Sequence, residues 1–360
     1  MTTYLKTRNG LLGTDFSSKL SAYLAQGCIT ARQIHAQLCA FEDGTNESWT
    51  GVEGYGKGEN PGTSHMRFEL LWRDYMRLCT RKFGSKLFRL EGFKSEEHIE
   101  GRWMHPSRPR EDQGGNDVTG MLERFLNGTT GMGLIDASLR EVYLTGYTSN
   151  RARQNVASFL AKHLNIDWRL GAEWYECMLV DYDVSSNWGN WQYVAGVGND
   201  PRGQARIFNP VKQAYDYDPN AEYVRAWVPE TRALSEPSEC FQAWTVGVER
   251  RKEVGLAGLE WVERPLKRIE FTVGKRGVGR RRGTGRGESG RGGRRASQGQ
   301  QVNLGHNPGY SGRGYGSSRG HLRGGYGPGR GRGRGRELRT GMMDRDVIVN
   351  PELQQDGGVS

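Results

Sequence analysis

The sequence predicts an all-α fold followed by a basic tail of different composition. Up to about residue 270, apolar residues recur at helical spacing, and alternating β-branched runs between turn dipeptides are scarce. After Phe271 the composition changes abruptly to Gly, Arg, Ser and Tyr. We therefore expect a helical domain over residues 1–270. We expect a disordered tail over residues 271–360, because its Arg/Gly-rich stretch cannot bury enough apolar area to offset chain entropy.

The helices can be predicted in order along the chain. The first helical stretch, from Ser17 to Leu38, is interrupted near Gly27 and starts again near Thr30, a typical N-cap residue. The later helices are predicted over Arg67–Cys79, Leu134–Leu144, Asn150–Leu164 with Asn150 at the cap, and residues 171–180. Two polar, Gly-rich insertions, Asp43–Gly62 and His98–Gly120, are predicted to be surface loops.

The net charge of +10 is unevenly distributed. Residues 275–336 hold sixteen lysines and arginines against one acid, Glu288, so this stretch carries +15 and the rest of the chain −5. The basic character of the protein therefore belongs to the tail.

Composition also argues against several classes of protein. The five cysteines form no CxxC pair and have no histidine at metal-ligand spacing, so neither a disulfide framework nor a metal site is predicted. No apolar run reaches membrane-spanning length, and the N-terminus lacks a secretory apolar segment. We expect no membrane partner and a reducing intracellular compartment: nucleus or cytoplasm, with an organelle as the alternative. The sequence carries no prediction of oligomeric state.

The most informative stretch is VDYDVSSNWGNWQY, residues 180–193. It crowds two aspartates, an asparagine and two tryptophans together between apolar helices. Polar groups buried without partners lose hydration free energy. The stretch is therefore either a surface loop or the lining of a polar cofactor pocket.

Two further patterns each allow two interpretations. Ser17, Ser18, Lys19, Leu20 and Ser21 stand at a predicted helix start, which suits phosphate oxygens but is also an ordinary serine cap. In FELLWRD, Glu69 and Arg73 share a helix face beside Trp72. This face is either a solvated ion pair or the mouth of a cavity.

A third pattern favours a functional interpretation. Asn150, Arg151 and Arg153 precede an apolar helix, where positive charges oppose the helix dipole. An arginine there that met Asp181 or Asp183 would form a buried, paired charge.

Four blocks, in this order, carry a resemblance to a known family. They are TRNGLLGTDFSSKLSAYLAQGCIT, FELLWRDYMR, GLIDASLREVYLTGYTSNRARQNVASFLAKHLNIDWRLGAEWYE, and LVDYDVSSNWGNWQYVAGVGNDPRGQARIFNPVKQAYDYDP. Over roughly residues 4–232 they resemble the helical FAD-binding domain of the photolyase/cryptochrome family, and most closely its DASH type. The resemblance implies a photolyase-like helical FAD-binding domain.

The resemblance also implies roles for single residues towards FAD. It implies phosphate contacts from Tyr4 and Ser17, Ser18, Lys19, Leu20 and Ser21. Arg73, Asn150 and Tyr182 would line the pocket, and Arg153 would pair with Asp181 next to the flavin. Asp183 would contact the ring edge, and Asn187 would face flavin N5 and favour the reduced anion.

The family reaction is the light-driven splitting of a cyclobutane pyrimidine dimer by an electron from reduced flavin. By similarity, Glu69 would hydrogen-bond the dimer and Trp72 would stack on it. The other positions matching DNA contacts are Arg8, Asn150, Arg151, Gln154, Tyr193 and Gln213. Gln154 and Tyr193 stand where conventional photolyases carry Met and Trp, which reduces stacking area and fits the DASH preference for lesions in single strands.

Flavin photoreduction in the family follows a tryptophan chain. Trp191 and Trp168 match its inner members, but the outermost position falls on Phe125, a poor relay. Either the route is cut, or Trp174 or Trp188 substitutes for it, although both could be plain core aromatics.

Two departures from the family concern the ends of the chain. The family's α/β domain, which carries the antenna pigment (methenyltetrahydrofolate in the family), would precede Met1, so we expect the antenna to be absent. The tail instead has Arg–Gly repeats with Tyr310, Tyr315 and Tyr326. Such segments bind RNA and single strands through phosphate neutralisation and stacking, although a solubilising linker is the alternative.

The sequence thus supports three hypotheses about function. The leading one is a blue-light FAD enzyme of the deoxyribodipyrimidine photo-lyase type that repairs pyrimidine dimers in single-stranded DNA. The second is a blue-light photoreceptor that binds FAD and nucleic acid without repair. The third is a non-catalytic RNA-binding protein that works through its tail.

Overall fold

The computed structural model describes residues 2–13, 16–94, 101–108, 117–200 and 207–271. The chain divides into two units, Met1–Arg280 and Arg281–Ser360, and all described residues lie in the first. The disorder predicted for residues 271–360 lies outside the described residues apart from Phe271, and so do residues 98–100 and 109–116 of the His98–Gly120 insertion.

Helices dominate the described residues, and no strand occurs among them. The α-helices are α1 Tyr4–Thr7, α2 Ser21–Ala25, α3 Ala31–Asp43, α4 Pro61–Phe83, α5 Val118–Leu126, α6 Gly133–Thr145, α7 Asn150–Ser158, α8 Trp168–Met178, α9 Val184–Ala195, α10 Pro210–Tyr217, α11 Glu222–Trp227, α12 Pro237–Phe241, α13 Val248–Glu253 and α14 Glu260–Glu263. A π-turn, Phe159–His163, extends α7, and short 3-10 turns cover Glu47–Trp49, Gly84–Phe88, Pro229–Thr231 and Ala243–Thr245. The predicted all-α class is confirmed.

Local capping chemistry explains where several helices begin. Thr30 closes a capping box with Gln33 at the start of α3, as the sequence indicates. Asn60 caps α4, which begins six residues before the predicted start at Arg67 and places Pro61 in its first turn. The predicted loop between α3 and α4 is present apart from the short turn at Glu47–Trp49.

Two predicted helix starts are wrong. Residues 17–20 precede the short helix α2 instead of forming its first turn, because Lys19 has φ +54° and Leu20 is the cap. At α7 the cap is Ser149, whose hydroxyl accepts the Ala152 N–H, and Asn150 is the first helical residue. At α7 the predicted residue type was suitable, but the neighbouring Ser149 has the extended backbone conformation that a cap requires.

The helices that line the site are packed together by buried side chains of the core. The largest buried cluster joins aromatic and aliphatic side chains of α5 to α9, with Phe125, Phe159 and Trp168 fully buried. Helix α9 packs against both α4 and α8. Gly171 on α8 allows this, because an added Cβ there would lie 2.3 Å from the Trp191 ring.

All five cysteines are free thiols. Within the described ranges no group of His, Cys, Asp and Glu side chains has the arrangement of a metal site. In the same ranges, no helix combines the length and the apolar character that crossing a bilayer requires.

Candidate flavin cavity and its mouth

A cavity of about 540 Å³ opens among α1, α2, α4, α7, α8 and α9. Its size lies within the range of small-molecule and cofactor sites. The predicted site residues that line it are Tyr4, Arg8, Ser17, Ser18, Lys19, Leu20, Ser21, Glu69, Trp72, Arg73, Asn150, Arg151, Arg153, Gln154, Asp181, Tyr182, Asp183, Asn187, Trp191 and Tyr193. Residues 180–193, which the sequence allowed to be either a surface loop or the lining of a pocket, therefore contribute to the cavity wall. Residues 184–193 of this stretch belong to α9.

The Arg153–Asp181 pair expected from the sequence is present. Arg153 Nη2 donates to both carboxylate oxygens of Asp181, at 2.9 and 3.0 Å, and its Nε donates to the Thr148 carbonyl at 3.0 Å. The Asp181 side chain is only 4% exposed. Burial works against the charge of Arg153, but attraction to Asp181 prevails and raises the pKa of the guanidinium. A fixed, charged pair thus stands in the cavity wall.

Asp183 lines the cavity and also makes two contacts that hold neighbouring helices in place. Its carboxylate caps α9 by accepting the Ser186 N–H, and it accepts a hydrogen bond from Arg77 Nη2 at 2.9 Å. Arg73 Nη2 lies 4.0 Å away. Although burial alone would raise the pKa of Asp183, the Ser186 and Arg77 hydrogen bonds lower it. The cavity therefore presents an ionised carboxylate here.

Asn187 is held in place by a neighbouring helix. Its amide Nδ2 donates to the Ala172 carbonyl at 2.9 Å, which fixes the side chain between α8 and α9. One turn further along α9, Trp191 is 3% exposed, and its ring meets that of Tyr175 at 5.3 Å. An amide and an indole of fixed orientation therefore face the same cavity.

Trp168 lies behind the wall and does not line the cavity. It is fully buried, donates from Nε1 to the Leu90 carbonyl at 3.2 Å, and has a ring contact with Trp188 at 5.9 Å. Phe125 is fully buried in the same cluster. Trp168 is therefore a core residue that stands close to the site.

Glu69, at the α4 side of the cavity, has two basic neighbours. Arg8 Nη2 hydrogen-bonds Oε1 of Glu69, and His65 Nε2 lies 3.1 Å from the same oxygen. Burial, followed by the charge of Arg8, lowers the pKa of His65. Glu69 and Arg73 share a helix face as predicted, but no ion pair joins them, since Arg73 donates instead to the Leu24 carbonyl.

An aromatic wall continues from Glu69 along α4. Trp72 meets the Tyr193 ring edge-on at 5.9 Å and 86°, and the Tyr75 ring at 5.3 Å. Phe68 lies 6.3 Å from Trp72 and is 54% exposed. A flat ligand at this mouth would meet aromatic faces beside a carboxylate.

Arg151 and Gln154 line the cavity from α7. Arg151 Nη1 donates to Gln154 Oε1 at 3.1 Å, Nη2 donates to Asn9 Oδ1 at 3.0 Å, and the guanidinium lies 4.5 Å from the Tyr217 ring centre. Burial lowers the pKa of Arg151. Gln213 does not line the cavity; its Oε1 lies 3.4 Å from Nδ2 of Asn155, a residue of α7 that does not line the cavity either.

Lys19 supplies the positive charge in the part of the cavity wall that residues 16–20 form. Its Nζ lies between two rings, 4.0 Å from the Phe16 centre and 4.1 Å from the Tyr147 centre. Ser17 Oγ lies 3.4 Å from Tyr147 Oη. The predicted phosphate-binding residues thus line the cavity as an irregular segment before α2.

Sequence reasoning missed some lining residues, of which the polar ones are Asn9, Tyr147, Thr148, Tyr175, Ser186 and Asn190. Tyr175 is 2% exposed, and its hydroxyl has no hydrogen-bond partner within the described ranges. Helical spacing on α8 marks it only as a core aromatic, so no sequence signal separates it from an ordinary buried ring.

The wall suits the cofactor that the family resemblance implies. Lys19 supplies positive charge for phosphates, while Trp191, Leu179 and Val194 supply apolar surface for a planar ring. The residues present therefore fit FAD.

Comparisons with known proteins agree with this geometry. Residues 66–263 match a family profile described as the FAD binding domain of DNA photolyase. A Neurospora crassa protein named as a mitochondrial cryptochrome DASH is 59% identical over 301 residues, which are 79% of this chain and 40% of the relative.

Solved structures are similar to the same part of the chain. The Synechocystis cryptochrome has a TM-score of 0.60 at 41% identity, covering 72% of this chain and 50% of that one. A class III photolyase from Agrobacterium tumefaciens has a TM-score of 0.57 at 28% identity, covering 74% and 49%. The chain thus spans half or less of the length of these relatives. It belongs to the photolyase/cryptochrome family, of which it contains the FAD-binding domain.

Proposed function

We propose that the cavity holds FAD, and that the chain is a blue-light flavoprotein that reverses cyclobutane pyrimidine dimers in single-stranded DNA. One observation carries this proposal. A single cavity is lined by the charged Arg153–Asp181 pair and also, on α4, by Glu69 and Trp72. A cofactor and a base-sized ligand would therefore meet in one space.

The residues proposed to hold FAD would contact different parts of the cofactor. Lys19 and the serines of residues 17–21 would bind the phosphates, while Arg153 and Asp181 would orient polar groups of the cofactor through their fixed pair. Asn187, fixed by Ala172, would meet the flavin ring. Bound FAD would supply light absorption and, when reduced, an electron at low potential.

The mouth of the cavity suits a flipped-out pyrimidine. Arg8 and His65 both meet Oε1 of Glu69, which leaves Oε2 to accept a ring N–H from a base. Trp72 offers a stacking face, worth about 1–3 kcal/mol per base. Extrusion from a duplex costs a few kcal/mol of unstacking, which a single strand does not require. This difference supports single-stranded substrate.

Arginines on the rim would bind the backbone of the strand. Arg8 and Arg151 both line the cavity, with Arg151 bonded to Asn9 beside Arg8, and Asn150 and Gln154 lie beside Arg151 on α7. Guanidinium groups neutralise phosphates, so binding here should weaken as salt rises. Gln213, which lies outside the cavity lining, would act only on flanking phosphates.

Trp191 and Trp168 are proposed to relay electrons to the flavin. From Trp168 the next ring contact is Trp188, which is 5% exposed, and Trp188 in turn contacts Phe88 at 4.9 Å. We infer that Trp188 substitutes for the position that Phe125 fills.

A photoreceptor without repair activity is the second candidate. It is favoured by the contacts of Glu69 with Arg8 and His65, because a lesion would have to share this carboxylate with them.

We propose an organelle as the compartment. The names of two relatives, one mitochondrial and one chloroplastic or mitochondrial, support this proposal.

Illumination of the purified chain tests the proposal. The chain should show a flavin absorption band and, with a reductant, should reverse dimers in a single-stranded oligonucleotide faster than in a duplex. Glu69→Gln should slow reversal, whereas Glu53→Gln at an exposed position is the matched control. A flavin band without lesion reversal would leave the photoreceptor, and absence of the band would refute both.

The tail is proposed to bind single-stranded RNA or DNA through its arginines and tyrosines. Its sixteen positive charges between Lys275 and Arg336 support this proposal. Deletion of residues 275–336 should flatten the dependence of nucleic-acid affinity on salt concentration. An unchanged slope would make the tail a spacer.

A further inference from the structure

Trp188 on α9 donates its indole N–H to a carboxylate. Its Nε1 lies 2.8 Å from Oε2 of Glu176 on α8. Two other buried indoles, Trp103 and Trp168, donate instead to backbone carbonyls, at 2.8 and 3.2 Å. A carbonyl and a carboxylate both satisfy an indole N–H, but only the carboxylate can also take up its proton. Trp188 therefore differs from the other two in having a base at its nitrogen.

Glu176 connects this buried indole with solvent. Trp188 is 5% exposed, whereas Glu176 is an exposed residue. The Tyr182 hydroxyl hydrogen-bonds the same carboxylate, and burial, followed by this hydrogen bond, raises the pKa of Tyr182 to about 12. The phenol therefore stays protonated and holds the carboxylate beside the indole. A proton that reached Glu176 could pass on to water.

Trp188 also stands at the outer end of the proposed electron route. Its ring meets that of Trp168 at 5.9 Å and that of Phe88 at 4.9 Å, and Phe88 is 46% exposed. An indole that has lost an electron is a far stronger acid than a neutral indole. Trp168 would keep its proton, because its nitrogen faces a carbonyl. Trp188 has a carboxylate within the distance that proton transfer requires.

We propose that Glu176 is the proton acceptor that traps the oxidised relay at Trp188; this rests on the proposed electron route from Trp188 through Trp168 to bound FAD. Trp188 first gives up one electron, which passes through Trp168 to the photoexcited oxidised flavin. The Nε1–H bond of Trp188 then breaks, and an O–H bond forms on Oε2 of Glu176. A radical cation and a carboxylate thus become a neutral indolyl radical and a carboxylic acid.

The proton transfer would slow the return of the electron. A tryptophan radical cation needs only an electron to regain its resting state, whereas the neutral radical needs both an electron and a proton. Glu176 is exposed, so it can release the proton to water. An external thiol then supplies the electron, and water the proton, that restore Trp188. Reduced flavin would therefore persist for longer after each flash of light.

Flash photolysis of the flavin-loaded full chain tests this transfer, since the neutral tryptophan radical absorbs at shorter wavelength than its cation. Glu176→Gln keeps the size of the side chain and an acceptor for the indole N–H but removes the base. A positioned base accelerates proton transfer by about 10²–10⁴-fold, so the cation should lose its proton about a hundredfold more slowly in Glu176→Gln. Deuterium oxide should slow the same step in the wild type.

The contact itself can be measured without FAD. In the NMR spectrum of the FAD-free chain, Trp188→Phe identifies the indole N–H resonance by removing it. This resonance should move upfield in Glu176→Gln, because a hydrogen bond to a neutral amide is weaker than one to a carboxylate. Glu173 is an exposed carboxylate one turn earlier on α8, so Glu173→Gln is the matched control and should change neither the resonance nor the radical.

The possible failures can be told apart. Equal rates of proton loss in wild type and Glu176→Gln, with flavin bound in both, would overturn the role of Glu176 alone. A radical signal that Trp188→Phe leaves unchanged would overturn the electron route through Trp188, and the role of Glu176 with it. Absence of FAD binding by the wild-type chain would instead overturn the cavity assignment on which both depend.

Discussion

The Arg153–Asp181 pair should be the most sensitive point of the cavity wall. Asp181→Asn keeps the shape of the side chain and removes its charge, while the guanidinium of Arg153 stays in place. Because the Asp181 side chain is 4% exposed and that of Arg153 26%, the remaining charge would lie largely out of water. Breaking a buried pair from one side costs about 3–5 kcal/mol.

The size of this loss can be compared with the total stability. The free energy of unfolding of a domain is about 5–15 kcal/mol, so Asp181→Asn should remove a large part of that free energy. Asp181→Asn should also weaken retention of FAD, because Arg153 would lose the partner that orients it. Urea unfolding measures the first effect, and flavin absorbance after gel filtration measures the second.

A double-mutant cycle separates the pair from its surroundings. Arg153→Met, Asp181→Asn and the double variant should be non-additive by more than about 1 kcal/mol, since Arg153→Met alone strands the carboxylate. The exposed pair Arg250–Glu253 is the matched control, where the same cycle should give at most about 0.5 kcal/mol. Additivity within about 0.5 kcal/mol at Arg153 and Asp181 would refute the reasoning.

Three further predictions concern the mouth and the far wall of the cavity. Trp72→Ala should weaken binding of single-stranded dimer DNA by about 1–3 kcal/mol, whereas Leu78→Ala on the exposed face of α4 should not; equal losses in a binding titration would contradict a stacking role. The pKa of Asp183 is lower in the folded state than its ordinary value of 3.8, so its stabilisation is present above about pH 4 and is lost as the pH falls further. Acid unfolding of wild type and Asp183→Asn should therefore converge below pH 4, and a constant difference from pH 7 to pH 3 would count against this. Asn187→Asp should disfavour the reduced anion of bound flavin through charge repulsion, which absorbance during photoreduction can follow; an unchanged spectrum would show that Asn187 does not face the ring.

Much of the helical framework follows from local sequence. The capping box at Thr30 fixes the start of α3, and the apolar spacing from Arg67 to Cys79 lies inside α4. Such signals depend on residues three or four apart, so neighbouring side chains suffice to specify them. The same kind of local signal does not fix a terminal residue, which is why the predicted cap of α7, Asn150, differs from the observed cap, Ser149.

The residues of the cavity could also be predicted to a large extent, since the order of several sequence blocks carries the family resemblance. Of the predicted site residues, only Trp168 and Gln213 do not line the cavity. A matched block identifies which helix contributes to a site, but not how far behind the surface a given side chain lies. Trp168 stands on α8, which lines the cavity through Tyr175, whereas Gln213 stands on α10, which contributes no lining residue; their side chains contact Leu90 and Asn155 respectively.

Sequence alone thus determined the all-α class, the separate basic tail and the family to which the helical part belongs. Tertiary structure decided which charges meet: Glu69 with Arg8 sixty-one positions away, and Arg77 with Asp183 one hundred and six positions away. It also showed that the Tyr175 hydroxyl has no partner within the described ranges although the Tyr223 hydroxyl has one. The physical reason is that hydrogen bonds and ion pairs between distant segments depend on how helices pack, and no local pattern encodes that packing.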